Sequence, residues 1–170
     1  MNITTKYSGP GKFYFNKIID NIIKIGDLEN TDKIILDYGC GEKILSKKLK
    51  NKSVLNYDIN SLYSDYESIE NLKFDIVIMN HILMYLNTKE IIDTFNKIKL
   101  LNPSCKFIIG IAKHNLLSKI SKTLAFSFDA HKHTKTSHKQ QVDLIYKKMN
   151  VVKFNKNIFF MTDIYLTKLI

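Results

Sequence analysis

Apolar residues along this chain follow two rhythms that alternate from one end to the other. Phe15, Ile18, Ile19, Ile22 and Ile23 recur at three- and four-residue spacing and predict an amphipathic helix. Ile34, Ile35 and Leu36 then form a short apolar run of the kind a strand buried on both faces needs. Helical spacing returns over Ile44 to Leu49, and Ser53 to Tyr57 predicts a second strand. Lys73 to Leu86 predicts another strand running into a helix-prone segment, and Cys105 to Ala112 a further one, entered through Asn102-Pro103-Ser104. Between them, Asn87 and Glu90 have capping-box spacing ahead of Ile91, Ile92, Phe95, Ile98 and Leu101, so a helix is expected there that Asn102-Pro103 stops. Asn115 to Phe126 reads as a short basic amphipathic helix. Val142, Ile145, Tyr146 and Met149 mark the buried stripe of another. Val151 to Phe154 and Ile158 to Leu169 predict two strands across an Asn155-Lys156-Asn157 turn. Strands alternating with helices predict an α/β fold on a largely parallel sheet.

Within that pattern, Lys33 to Lys43 (KIILDYGCGEK) carries the chemistry. Gly39 and Gly41 lack Cβ atoms, so they turn the chain sharply and let a ligand approach the backbone. A dinucleotide loop would need a glycine at position 44, where this chain has Ile44. An acid, any residue, Gly, Cys, Gly resembles instead the first motif of class I S-adenosylmethionine-dependent methyltransferases, with Lys43 in place of its last glycine. Asp58 ends the second strand, about 20 residues beyond the loop, where Rossmann-type sites hold ribose hydroxyls. KFDIVIMNHILMYL resembles the family's fourth strand, and CKFIIGIA its fifth.

The resemblance implies S-adenosylmethionine as cofactor and a Rossmann-like sheet of the seven-stranded type with a C-terminal antiparallel hairpin. It places Asp37 near the cofactor's amino group, the main chain of Tyr38, Gly39, Cys40 and Gly41 against it, Asp58 at its ribose, Asp65 at its adenine amino group, and Ile59 and Asn80 among the other cofactor-binding residues. The stretch from Asp58 to Asp75 is too short for a helix and a strand with their connections, so the edge between strands 2 and 4 is expected to be reduced. Ser61 to Tyr66 offers a short third strand there. Tyr7-Ser8-Gly9-Pro10-Gly11 reads as a loop folding over the cofactor.

Composition narrows the picture. A chain of 170 residues, 45% hydrophobic, fits a single domain spanning residues 1–170. Its net charge of +10 invites nucleic acid as a partner, but all 26 basic residues are Lys, so the forked guanidinium that reads guanine or clamps phosphate is missing. Asn80 is followed by His81 and Ile82, which does not match the D/N-P-P-aromatic sequence of nucleic-acid adenine methylases. A small-molecule or lipid-like methyl acceptor is therefore expected first, an RNA or protein acceptor second, and a non-catalytic cofactor-fold protein third. Cys40 and Cys105 have no metal spacing and point to a reducing compartment. No apolar run approaches the ~20 residues that span a bilayer, and no signal core opens the chain, so a cytoplasmic protein is expected.

All five histidines follow the strand at Lys73. Ligands of open α/β sheets lie beyond the carboxyl ends of the strands, which makes His81, Tyr85 and His114 the catalytic candidates by position. His131, His133 and His138 have metal-like spacing with Asp129, yet they sit in a Lys-rich polar stretch and read as solvated or as lining an acceptor pocket, so no metal is expected.

Overall fold

The computed structural model describes residues 9–113, 134–158 and 161–170. Helix α1 (Gly9–Gly26) leads to strand β1 (Ile35–Tyr38), a short helix α2 (Ile44–Lys48) and β2 (Val54–Tyr57). Strand β3 (Ile76–Asn80), a single 3-10 turn (Leu83–Tyr85), helix α3 (Thr88–Leu101) and β4 (Lys106–Ala112) follow. The chain closes with α4 (His138–Lys148), β5 (Met149–Ile158) and β6 (Thr162–Leu169).

Six strands make one mixed sheet in the order β2-β1-β3-β4-β6-β5. The first four are parallel, and β6 and β5 add an antiparallel pair beyond β4. Apolar runs can serve as central strands because both sides are covered. Val77, Met79, Phe107 and Ile109 face Ile91, Phe95 and Ile98 of α3 and Leu144 and Ile145 of α4. Ile35, Ile78, Ile108 and Ile164 face Ile18, Ile19, Ile22 and Ile23 of α1 and Leu45 of α2. Each such fully buried side chain contributes about 1.5–3 kcal/mol. The α3 capping box forms: Asn87 accepts from the Glu90 amide at 2.9 Å, and Glu90 accepts from the Asn87 amide at 2.7 Å.

Several expectations are corrected. Six strands are present among the described residues, and Ser61 to Tyr66 forms turns in place of a short third strand. Local bonds win there: the Asn60 amide donates to Asp58 at 2.9 Å, the Leu62 amide to the Asn60 side chain at 3.1 Å, and Ser64 Oγ takes the Asp58 amide at 3.0 Å. These Asx and Ser turns satisfy backbone groups that a ladder would have used. Gly9, Pro10 and Gly11 belong to the first turn of α1 and not to a loop, since a proline's missing N–H has no partner to lose there. Tyr7 and Ser8 lie outside the described residues. Asn155, Lys156 and Asn157 continue β5 where a turn was expected; register shifts between Val151 and Lys153 and between Lys156 and Ile158 absorb the extra residues as bulges. In α4 the buried positions are Gln141, Leu144 and Ile145, while Tyr146 is exposed and Met149 opens β5. The predicted helix over Asn115 to Phe126 lies outside the described residues.

Candidate active site

The glycine loop follows β1, whose neighbours on both sides are the parallel strands β2 and β3. Its backbone is left-handed at Gly39 (φ 82), Gly41 (φ 47) and Lys43 (φ 56). The Gly39 and Cys40 amides both donate to the Tyr57 carbonyl, at 2.7 and 3.1 Å, which folds the loop over the end of β2. A Cβ on Gly39 would meet the Ile82 side chain, so the position requires glycine twice over. At the next bend the Gly41 amide donates to Asp58 Oδ2 at 3.0 Å, and the Asn60 amide donates to Oδ1 at 2.9 Å. Asp58 thus faces the loop, with one protein donor on each oxygen and a further lone pair on each.

Lys43 keeps the left-handed conformation without being glycine, at a cost of about 1–2 kcal/mol. Its ammonium pairs with Asp65, whose carboxyl is held below the usual range by Lys43 and by Asn56, which donates to it at 2.8 Å. Asn56 in turn accepts from the Ser46 hydroxyl. The glycine loop, α2 and the segment after β2 are therefore tied together by side chains.

The remaining loop residues differ in what they present. Asp37 is buried, and desolvation together with the Asp58 carboxylate pushes its carboxyl up to about 7. Tyr38 turns to the opposite side of the sheet, where its ring packs on Tyr57. Cys40 is buried with its thiol donating to the Tyr63 carbonyl at 3.4 Å, and burial with Asp37 and Asp58 pushes it up to about 12, so it is no nucleophile. Ile59, directly after Asp58, is 90% exposed.

Across the loop, the strand ends build a second wall. Asn80 closes β3 above Gly110, where an added Cβ would strike its Oδ1, and that buried oxygen has no hydrogen-bond partner among the described residues. His81 is left-handed (φ 58) and its amide donates to the Gly110 carbonyl at 2.9 Å. Its Nε2 lies 2.9 Å from Thr162 Oγ1, and its ring meets Phe15 edge-on at 5.4 Å. Thr162 Oγ1 also bonds the Tyr14 hydroxyl at 2.5 Å, and burial pushes that phenol up to about 12. Tyr85 is half-buried in the 3-10 turn, and burial raises its phenol. On the other side of the sheet, Asp163 takes Lys113 Nζ at 2.7 Å and His138 Nε2 at 3.2 Å. His114, His131, His133 and Asp129 lie outside the described residues, and no group of three metal-ligating side chains occurs among the described ones.

Tyr14, Lys113, Thr162 and Asp163 were not anticipated from sequence. The available signal was a polar Thr-Asp pair opening a strand ahead of the apolar run Ile164 to Leu166, both residues buried. A 210 Å³ hollow between Gly26, Lys33 and Lys106 lies at the amino ends of the strands, away from this edge. Ligands of open α/β sheets bind at the carboxyl ends, so it has no part in the site.

Compared with solved structures, the chain superposes over nearly its whole length. The PH0226 protein from Pyrococcus horikoshii OT3 matches at a TM-score of 0.71, with 17% identity over 100% of this chain and 96% of that one. Magnesium protoporphyrin IX methyltransferase from Synechocystis PCC 6803, solved with bound SAH, matches at 0.61, with 15% identity over 96% and 89%. The fold is that of class I S-adenosylmethionine-dependent methyltransferases. A TehB-like member of that fold from Corynebacterium glutamicum ATCC 13032 Kitasato matches at 0.58, with 12% identity over 88% and 86%. No protein-family model and no curated protein matches the sequence. In this fold the glycine loop and Asp58 lie together at the carboxyl ends of β1 and β2.

Proposed function

We propose that residues 1–170 form one domain that transfers a methyl group from S-adenosylmethionine to a small-molecule or lipid-like acceptor. The observation that carries this reading is the Asp58 carboxylate set on the Gly41 amide, a grip on the glycine bend from the neighbouring strand. The surrounding residues fit the cofactor. Asp58 has acceptor sites left for sugar hydroxyls, exposed Ile59 offers an apolar rest for a flat base, and the unpartnered Asn80 Oδ1 and buried Asp37 are suited to an ammonium donor. Asp65 remains the candidate for the adenine amino group, sharing its carboxylate with Lys43 and Asn56. Tyr38 and Cys40 contribute through their main chain. We read the turns over residues 58–75 as the reduced edge of a seven-stranded plan.

S-adenosylmethionine supplies a methyl group already activated on a sulfonium. The protein's task is to hold the acceptor atom about 3 Å away and in line, with water excluded. His81 and Tyr85 after β3, and His114 after β4, are the residues we assign to the acceptor side. A small-molecule acceptor is supported by the porphyrin methyltransferase among the structural neighbours and by a chain without arginine. No helix among the described residues is long and apolar enough to cross a membrane. Two buried, unpaired cysteines support a cytoplasmic location. Calorimetric titration tests the reading: S-adenosylmethionine and S-adenosylhomocysteine should each bind the folded protein, and failure of both to bind contradicts it.

A further inference from the structure

We infer that capture of the cofactor at this site expels a proton from Asp37. The inference rests on the cofactor reading above and adds a charge-linked control to it. Asp37 lies in β1, its main chain in register with Asn56 on one side and Ile78 on the other. It is 6% exposed, and its carboxyl has no hydrogen-bond or ion-pair partner among the described residues. A bare ionised carboxylate in such a place is strongly disfavoured.

The charged and titratable groups around Asp37 reinforce this. Asp58 repels a second negative charge, and the Cys40 thiol is neutral. Among the described residues, the cation of the glycine loop, Lys43, is committed to Asp65. Burial and Asp58 accordingly hold the Asp37 carboxyl near 7, half protonated at neutral pH. Nothing among the described residues supplies the positive charge this acid lacks, whereas S-adenosylmethionine carries two, an ammonium and a sulfonium. When they arrive, the Asp37 O–H bond breaks, the electron pair stays on the carboxylate, and the proton leaves to solvent. After methyl transfer the sulfonium becomes a neutral thioether, one of the two charges opposing Asp37 is gone, and the carboxylate is free to take a proton back as product leaves.

Calorimetry in buffers of different ionisation enthalpy counts the protons directly, between pH 5 and 7, below the ordinary titration of the ligand's own amine at about 7.7–8. S-adenosylmethionine should release close to one proton per site at pH 5 to 6, and its affinity should rise by up to about tenfold per pH unit before levelling near pH 7. The uncharged nucleoside 5′-methylthioadenosine should bind with no proton release and no pH dependence. Asp37→Asn should bind S-adenosylmethionine without the pH slope. Binding of S-adenosylmethionine with no proton exchange at pH 6, or a slope that survives Asp37→Asn, overturns the inference and leaves the cofactor reading standing. Absence of S-adenosylmethionine binding at every pH overturns both.

Discussion

Lys43 holds at φ 56 a backbone shape that glycine adopts without strain. Its ion pair with Asp65 is partly exposed and contributes less than about 1 kcal/mol. Lys43→Gly should therefore exceed Lys43→Ala in stability by about 1 kcal/mol, because only alanine keeps the left-handed strain. Chemical denaturation of the two variants decides this, and equal stabilities would contradict the conformation. Asp58 holds the loop and, on the proposed reading, the ligand as well. Asp58→Ala should weaken S-adenosylmethionine binding by about 1–3 kcal/mol, roughly 5- to 150-fold, and an unchanged dissociation constant would refute its role. At this scale the sequence was informative where chemistry is local: the two glycines and the acid about 20 residues on could be read directly. Thr162 and Asp163 could not, because only the antiparallel register of β6 against β4 brings them beside His81, Lys113 and His138.

Between elements, close approach explains positions that no single side chain accounts for. Gly110 sits in the middle of β4, where glycine weakens a strand, yet an added Cβ would collide with Asn80 on β3. Gly110→Ala should lower the unfolding midpoint and also weaken cofactor binding, since Asn80 must move. A binding constant unaffected by Gly110→Ala would separate Asn80 from the site. The α3 cap is purely structural by contrast, and Asn87→Ala should cost about 1 kcal/mol with cofactor affinity intact. Helix and central-strand signals were legible because apolar spacing and caps act within a few residues. The length of β5 was not, since bulges let polar residues stay in the ladder, and the turns of residues 58–75 arise from Asp, Asn and Ser side chains that compete with strand pairing.

For the whole molecule, the acid on β1 ties folding to pH. The Asp37 carboxyl titrates near 3.8 in the unfolded chain and near 7 when folded, so between those values the folded state binds the proton more tightly. The stability it lends is full below about pH 4 and is lost as pH rises toward 7. Urea denaturation of the ligand-free protein should show that decline, and Asp37→Asn should flatten it; a wild-type curve parallel to that of the variant would contradict the assignment. On the proposed reading, one buried carboxyl on the strand that leads into the glycine bend links cofactor binding to folding. The central claim is that this bend and Asp58 receive an adenosyl ligand. A ¹H–¹⁵N correlation titration with S-adenosylhomocysteine reads it most directly: the amides of Gly39, Gly41, Asp58 and Ile59 should shift together and saturate. Unmoved amides there, or shifts confined to the hollow around Gly26 and Lys33, would contradict the account.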